Sequence, residues 1–277
     1  MPELPEVETI VRALKHGGRG GAPIIGKKVS DANLLWDKTL STPSFEKFEG
    51  KISKTTIKDI TRRGKFVVIH LDNEFLLIHL RMSGDLRIDP PPVLPPQNHD
   101  RLLIYFEDGY RLAFNDTRKF GRAWLVSNPE IVTGNLGPEP FDTTLMASDF
   151  YMRLQRKKKQ IKSLLLDQSF LAGLGNIYTD ESLFRSGIHP MRLSNTLSSK
   201  EAERLLKAIR DTLNEAIAHN GASIDWVYRG GEFQNNFRVY QQTGNPCPVC
   251  STPIQRLVVG QRGTHFCPKC QPEGVPE

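Results

Sequence analysis

Proline at position 2, directly after the initiator methionine, with glutamates at 3, 6 and 8, is the grouping in this sequence best suited to chemistry. Once the methionine is removed, Pro2 would carry a secondary amine as the chain terminus. A free α-amino group has a pKa near 8 against about 10.4 for lysine, so roughly a tenth of it is neutral at pH 7, compared with less than about a thousandth of lysines. A neutral amine attacks carbonyl-type carbons. A secondary amine then gives a permanently charged iminium, which draws electrons from the neighbouring carbon and favours elimination. Glu3, Glu6 and Glu8 would place proton-transfer groups within reach. The same residues admit a structural reading. A small second residue permits methionine removal, Pro5 and the glutamates suit a first helical turn, and Val7, Ile10, Val11 and Leu14 form an apolar stripe at helical spacing.

The second grouping is Cys247, Cys250, Cys267 and Cys270, two Cys-x-x-Cys pairs separated by the sixteen residues from Ser251 to Phe266. Each pair can make a tight knuckle, and the spacer is long enough for a β-hairpin. This is the pattern of one structural zinc. Four thiolates complete the tetrahedron and leave no position for a reactive water. Disulfides are the alternative, but Cys-x-x-Cys bridges are poor staples, and the chain reads as cytoplasmic. His265 is expected to be a hairpin side chain, not a ligand.

A third grouping lies between two helical stretches, from Asp167 to Tyr178. Gly173 and Gly175 allow close backbone approach, and a helix beginning near Ile177 would present N–H groups to a phosphate. No strand precedes it, which disfavours a dinucleotide fold and suits a DNA-backbone clamp.

The elements that must position these groups divide the chain. After a first helix and a flexible stretch from Gly17 to Pro23, strands are expected at Lys51–Ile60, Lys65–Leu71, Phe75–Leu80, Arg101–Phe106, Arg111–Asn115 and Arg122–Val126. Asp89 to Gln97 carries five prolines and reads as a loop. No helix of any length fits between about residues 51 and 127, so this half should be a β-sandwich or barrel capped by the first helix. Helices are expected at Ser148–Arg156, Gln160–Leu166, Ile177–Ser186 and Ser198–Asn220, followed by the cysteine hairpin. The class is α+β, with residues 1–134 as the amino-terminal domain, 135–147 as linker, 148–237 as a helical domain and 238–277 as the finger.

With 277 residues the chain can bury two cores, and a net charge of +6 makes polyanions plausible partners. The charge is concentrated at Arg153, Arg156, Lys157, Lys158, Lys159 and Lys162, and at Arg62, Arg63 and Lys65, although such runs also serve as solvated faces. No apolar run reaches membrane-spanning length and the acidic start is unlike a signal peptide, so a soluble protein of the cytoplasm is expected.

In these groupings the chain resembles the bacterial formamidopyrimidine-DNA glycosylases over essentially its full length. The resemblance rests on Met1-Pro2-Glu3-Leu4-Pro5-Glu6-Val7-Glu8, Arg62-Arg63-Gly64-Lys65, His79-Leu80-Arg81-Met82-Ser83-Gly84, Arg118-Lys119-Phe120-Gly121, Ala172-Gly173-Leu174-Gly175-Asn176-Ile177-Tyr178 and the terminal finger. The related endonuclease VIII branch typically has glycine where Leu4 stands, so Leu4 favours the purine-repair branch.

The resemblance implies a catalytic β-sandwich, a helix–two-turn–helix domain and a zinc-finger hairpin. It also implies an enzyme of base excision repair that removes oxidised purines from double-stranded DNA and then cleaves the abasic strand by β,δ-elimination. Pro2 would be the nucleophile, Glu3 the general acid and base, and Glu6 an electrostatic support. Lys65 would contact the phosphate beside the lesion and assist catalysis, though an ordinary exposed lysine at a strand start is the alternative. Met82, Arg118 and Phe120 would fill the space left by the extruded base, with Arg118 facing the orphaned cytosine. On residue pattern alone, Phe120 reads as a core aromatic. Met82 shares strand parity with Leu76, Ile78 and Leu80, which makes it core unless the strand stops first. Lys162, Asn176, Arg262 and His79 would hold DNA, with Arg262 counted among the catalytic residues as well. A variable loop at 221–234 would cover the flipped base, with no base-reading residue assignable. No organic cofactor is required, and a monomer in the bacterial cytoplasm, associated with the nucleoid, is expected. Ser163, where proline often follows the lysine, and the insertion Gly17–Ala22 depart from the family pattern without touching this chemistry. A pyrimidine-preferring relative and a non-catalytic zinc-dependent DNA-binding module are the alternatives.

Overall fold

A computed structural model describes residues 1–223 and 230–273; residues 224–229 of the expected base-covering loop therefore lie outside the described residues. The chain forms two compact units, Met1–Asn135 with Asn220–Gly231, and Leu136–His219 with Glu232–Glu277.

The first unit runs α1 (Leu4–His16), β1 (Val29–Leu34), β2 (Leu40–Thr42), α2 (Phe45–Ile52), β3 (Asp59–Arg63), β4 (Phe66–His70), β5 (Phe75–His79), β6 (Gly84–Asp89), β7 (Asp100–Phe106), β8 (Arg111–Asp116), β9 (Arg122–Val126) and α3 (Glu130–Thr133). One sheet has the order β1-β7-β8-β6 and the other β2-β9-β5-β4-β3. All neighbours are antiparallel except β2 and β9. The inward residues of both sheets share one core with α1 and α2, including Val7, Ile10, Phe48, Ile60, Ile78, Leu102 and Phe114. Burying each such side chain stabilises the fold by about 1.5–3 kcal/mol. Along β5 the alternation sends Leu76 and Ile78 into this core. Leu77 and Phe75 go to a second cluster with Val68, Trp124 and Val126.

Two expectations need correction. Lys51 and Ile52 end a helix and do not begin a strand, because Phe45, Phe48 and Ile52 recur at helical spacing and bury Phe48 and Ile52; the strand starts only at Asp59. Strands β1, β2 and β6 were not expected. Ser30, Asp31 and Asn33 blur the alternation of β1, and Gly84 with two aspartates conceals it in β6.

The second unit carries α4 (Ala147–Gln155), α5 (Ile161–Leu165), α6 (Asn176–Ser186), α7 (Ser199–Ala218), and the hairpin of β10 (Gln255–Val259) and β11 (Arg262–Phe266). α7 begins at a reciprocal cap, in which the Ser198 side chain accepts from the Glu201 N–H and the Glu201 carboxylate accepts from the Ser198 N–H. The hairpin turns through Gly260 and Gln261, at φ 54° and 62°, the pair of positive values that a tight two-residue turn requires. The finger packs on α6 through Phe184, Val239, Cys247, Ile254 and Cys267. The molecule is an α+β protein with an amino-terminal β-sandwich, a helical region and a zinc-finger hairpin. Among the described residues no helix is long and apolar enough to cross a membrane.

Candidate active site and nucleic-acid interface

The start of α1 gathers Pro2 and the glutamates expected to do acid–base chemistry. Pro2 is buried while Met1 is exposed. With Met1 present the Pro2 nitrogen is an amide without a usable lone pair. Glu3 is the N-cap. Its carboxylate accepts from the Glu6 N–H, and Glu6 Oε2 accepts from the Glu3 N–H at 2.7 Å. Glu6 Oε1 accepts from the Ala222 N–H at 2.8 Å. Gly221, at φ +76°, makes that approach possible, because a Cβ there would stand 2.5 Å from Glu6 Oε1. Both carboxylates are 2 % exposed. Glu8 is drawn away from them, held by Arg12 at 2.9 Å and Arg62 at 3.1 Å, which leaves Glu3 and Glu6 as the two interlocked carboxylates next to Pro2.

Lys65 is buried, not an exposed strand-end lysine. It follows Gly64, whose carbonyl accepts from Arg62 at 3.1 Å. His79 is buried as well, edge-on to Phe66, and its Nδ1 accepts from the Arg81 N–H at 3.0 Å. Burial first, then the charges of Arg81 and Lys65, push its pKa down to about 3, so it is neutral near pH 7. The unfolded chain binds a proton here below about 6.5 while the folded chain does not until about 3, so the folded state loses stability as pH falls through that window. His79→Asn keeps an acceptor for Arg81 and should reduce the loss in urea-unfolding midpoint between pH 7 and pH 5. An identical loss in both proteins would contradict this.

Met82, Arg118 and Phe120 all lie at the surface of the first unit. β5 ends at His79, so the chain leaves the strand before Met82, which is 41 % exposed and not core; Phe120 is 48 % exposed and is likewise not a core aromatic. The Arg118 guanidinium lies 5.2 Å from the Phe120 ring centre, and Lys119 sits 4.0 Å from the ring centre of Trp36.

In the second unit the expected phosphate ligands converge on β11, in a way the sequence did not foretell. Lys162 is fully buried, paired with Asp180 at 2.6 Å and donating to the Gly263 carbonyl at 2.9 Å. The phosphate contact expected of it is therefore corrected to a structural one, since its ammonium reaches no surface. Asn176 Nδ2 donates to the same carbonyl at 2.9 Å. Asp180 also accepts from the His265 N–H at 2.9 Å. This frame fixes β11, whose first residue, Arg262, is exposed. His265 is thus a hairpin side chain engaged by Asp180. Glu181 clamps the chain entering the finger, accepting from the N–H groups of Arg238, Val239 and Tyr240 at 2.8–3.1 Å, and burial pushes its carboxyl up. The basic run divides: Arg153 donates to Phe170 O, whereas Arg156, Lys157, Lys158 and Lys159 are exposed.

The four cysteine sulfurs lie within 4.8 Å of one another, with separations of 3.8, 3.4 and 3.5 Å for three pairs. A zinc tetrahedron with bonds of about 2.3 Å has edges of about 3.8 Å, so the sulfurs fit the ion. The N–H groups of Val249 and Cys270 point at Cys247 and Cys267 at 3.4 Å, the mark of metal knuckles. Burial and neighbouring sulfurs push the Cys267 and Cys270 thiols up, whereas hydrogen bonds with Thr252 bring Cys250 down to about 6. Zinc would hold all four as thiolates and brace the hairpin. Cys247→Ser should weaken binding to duplexes of every sequence and reduce the slope of log Kd against log salt by about 0.9, the share of one phosphate contact, with the first unit still folded. Unchanged affinity in the metal-free protein would exclude this bracing role.

Asp116, Asp180 and Glu181 escaped the sequence reading. The available signal was their nearness to expected site residues, Asp116 two positions before Arg118 and Asp180 and Glu181 four and five positions after Asn176.

Comparison with known proteins follows the same division. Residues 1–123 match the formamidopyrimidine-DNA glycosylase N-terminal domain, 136–227 the formamidopyrimidine-DNA glycosylase H2TH domain, and 244–272 the zinc finger found in FPG and IleRS. The chain is 44 % identical to the formamidopyrimidine-DNA glycosylase of Ligilactobacillus salivarius, over 98 % of this chain and 99 % of that protein. It is 42 % identical to that of Herpetosiphon aurantiacus, over 98 % and 100 %. The Lactococcus lactis Fpg (MutM) in complex with FAPY-dG-containing DNA superposes with a TM-score of 0.89 at 36 % identity, covering 98 % of this chain and 100 % of that one. The same holds for the L. lactis Fpg with abasic-site DNA. This chain belongs to the formamidopyrimidine-DNA glycosylase family.

Proposed function

We propose that this protein excises oxidised purines, 8-oxoguanine and formamidopyrimidines, from double-stranded DNA and then severs the abasic strand. One observation carries the reading: Pro2, buried beside two interlocked carboxylates, is a single peptide bond from becoming a free secondary amine. FAPY-dG and abasic DNA bound by the L. lactis relative support the substrate class.

In the proposed reaction the Pro2 nitrogen attacks C1′ of the damaged nucleoside as the C1′–base bond breaks. Glu3 protonates the sugar oxygen to open the ring and assists the leaving groups. The iminium acidifies the C2′ hydrogen, whose loss expels the 3′ phosphate; a second elimination expels the 5′ phosphate, and hydrolysis returns Pro2 as an amine. Glu6 holds Glu3 in place through the cap. Lys65 contacts the phosphate beside the lesion, and His79, Asn176 and Arg262 serve the DNA backbone. Arg262, exposed at the hairpin tip, holds phosphate without reading sequence. Met82, Arg118 and Phe120 occupy the vacated stack, which offsets the lost stacking. In this reading residues 1–134 are catalytic, 135–147 the linker, 148–237 the helix–two-turn–helix domain and 238–277 the finger. The protein works as a monomer in the cytoplasm, at the nucleoid, without an organic cofactor.

Excision assays on matched duplexes test the substrate class. Rapid release of 8-oxoguanine with slow release of thymine glycol is expected; the reverse order would place the protein with the pyrimidine-preferring relatives.

A further inference from the structure

Two surface loops of the first unit meet on a single buried carboxylate. The turn after β5 carries Met82 and the turn after β8 carries Arg118 and Phe120. Asp116, the last residue of β8, is 1 % exposed. Its Oδ1 accepts from the Ser83 hydroxyl and from the Arg118 N–H at 3.2 Å, and its Oδ2 accepts from the Gly121 N–H at 2.7 Å. The Arg118 N–H is shared with Ser83 Oγ at 3.1 Å. One side chain thus closes the Arg118–Phe120 turn across its base and ties it to the residue that follows Met82.

Packing beneath the loops repeats this coupling. The Phe114 ring lies under both, and a Cβ would come within 2.8 Å of it at Gly84 and 2.4 Å at Gly121. Each tip also contains one non-glycine residue in the left-handed region, Arg81 at φ 54° before Met82 and Lys119 at φ 62° before Phe120. Side chains rarely adopt that conformation unless their surroundings impose it. Because Met82, Arg118 and Phe120 are themselves exposed, the constraint must come from below, where Asp116 supplies it.

We propose that Asp116, acting with Ser83, is a positioning residue that holds Met82, Arg118 and Phe120 as one wedge, so that all three enter the duplex together when the damaged nucleotide leaves the stack. This rests on the reading of those three as void-filling residues. Ordering the two loops in advance removes the entropic cost of ordering them on DNA.

Two readouts separate this role from a merely structural one. The first is single-turnover excision of 8-oxoguanine opposite cytosine. The second is stopped-flow fluorescence of 2-aminopurine beside the lesion, which reports base extrusion. Asp116→Ala should slow both about 10- to 100-fold, the scale of an ångström of misplacement, with affinity for undamaged duplex unchanged. Ser83→Ala should shift both in the same direction by less. Asp116→Asn should recover most of the rate, because its carbonyl still accepts and its amide can donate to Ser83. In a Met82→Ala, Arg118→Ala, Phe120→Ala background, Asp116→Ala should add nothing, since coupled residues are not additive.

Multiplicative effects in that background, or wild-type extrusion by folded Asp116→Ala, would overturn the proposal. Should Asp116→Ala not fold, wild-type rates in Ser83→Ala would do so. Wild-type rates in the triple variant itself would overturn the void-filling reading on which the proposal rests.

Discussion

Glu3→Gln should leave affinity for lesion-bearing duplex within about twofold while slowing base excision by about 10²- to 10⁴-fold, the usual range for removing a general acid–base group. The separation follows from the two functions of this side chain. As N-cap it needs only an oxygen that accepts from the Glu6 N–H, and glutamine supplies one. Glu6 would still accept from the residue 3 N–H and from Ala222, so α1 should begin where it does now. Glutamine cannot carry a proton to the sugar or the departing base. Binding measured by fluorescence anisotropy, beside single-turnover excision, separates the two functions. Equal loss of both would make the carboxylate structural.

Retention of Met1 should have a larger effect still. The Pro2 nitrogen is then an amide, its lone pair is delocalised into the carbonyl, and no covalent route exists. Removing a nucleophile lowers a covalent catalyst by about a millionfold, and a loss approaching that scale is expected in both excision and strand cleavage. Duplex affinity should fall far less, because Arg262 and the hairpin that bears it are untouched. Aminopeptidase treatment of the same sample should restore activity in proportion to the terminal proline exposed.

Much of this was legible in the sequence because it depends on local rules. The helical start at Pro5 and Glu6, the Cys-x-x-Cys knuckles and the long helix after Ser198 each involve residues a few positions apart, so spacing specifies them; the reciprocal Glu3–Glu6 and Ser198–Glu201 caps emerged only in the structure. What else escaped depends on contacts between residues distant in the chain. The phosphate contact of Lys162 was implied by the family resemblance, but Asp180 and Gly263 claim its ammonium in the folded chain. Met82 read as core by parity, but parity ends with the strand, and β5 ends at His79. Asp116 offered only its nearness to Arg118, since its other partners lie 33 residues back at Ser83 and five ahead at Gly121. Long-range satisfaction of buried polar groups has no sequence period.

In the proposed reaction everything depends on a covalent bond between the Pro2 nitrogen and C1′ of the damaged nucleotide. Borohydride reduction during turnover of an 8-oxoguanine duplex, followed by peptide mass spectrometry, tests it directly. A stable protein–DNA adduct is expected on the peptide that begins with Pro2, absent from protein that keeps Met1. An adduct on a lysine, or none from processed and active protein, would contradict it.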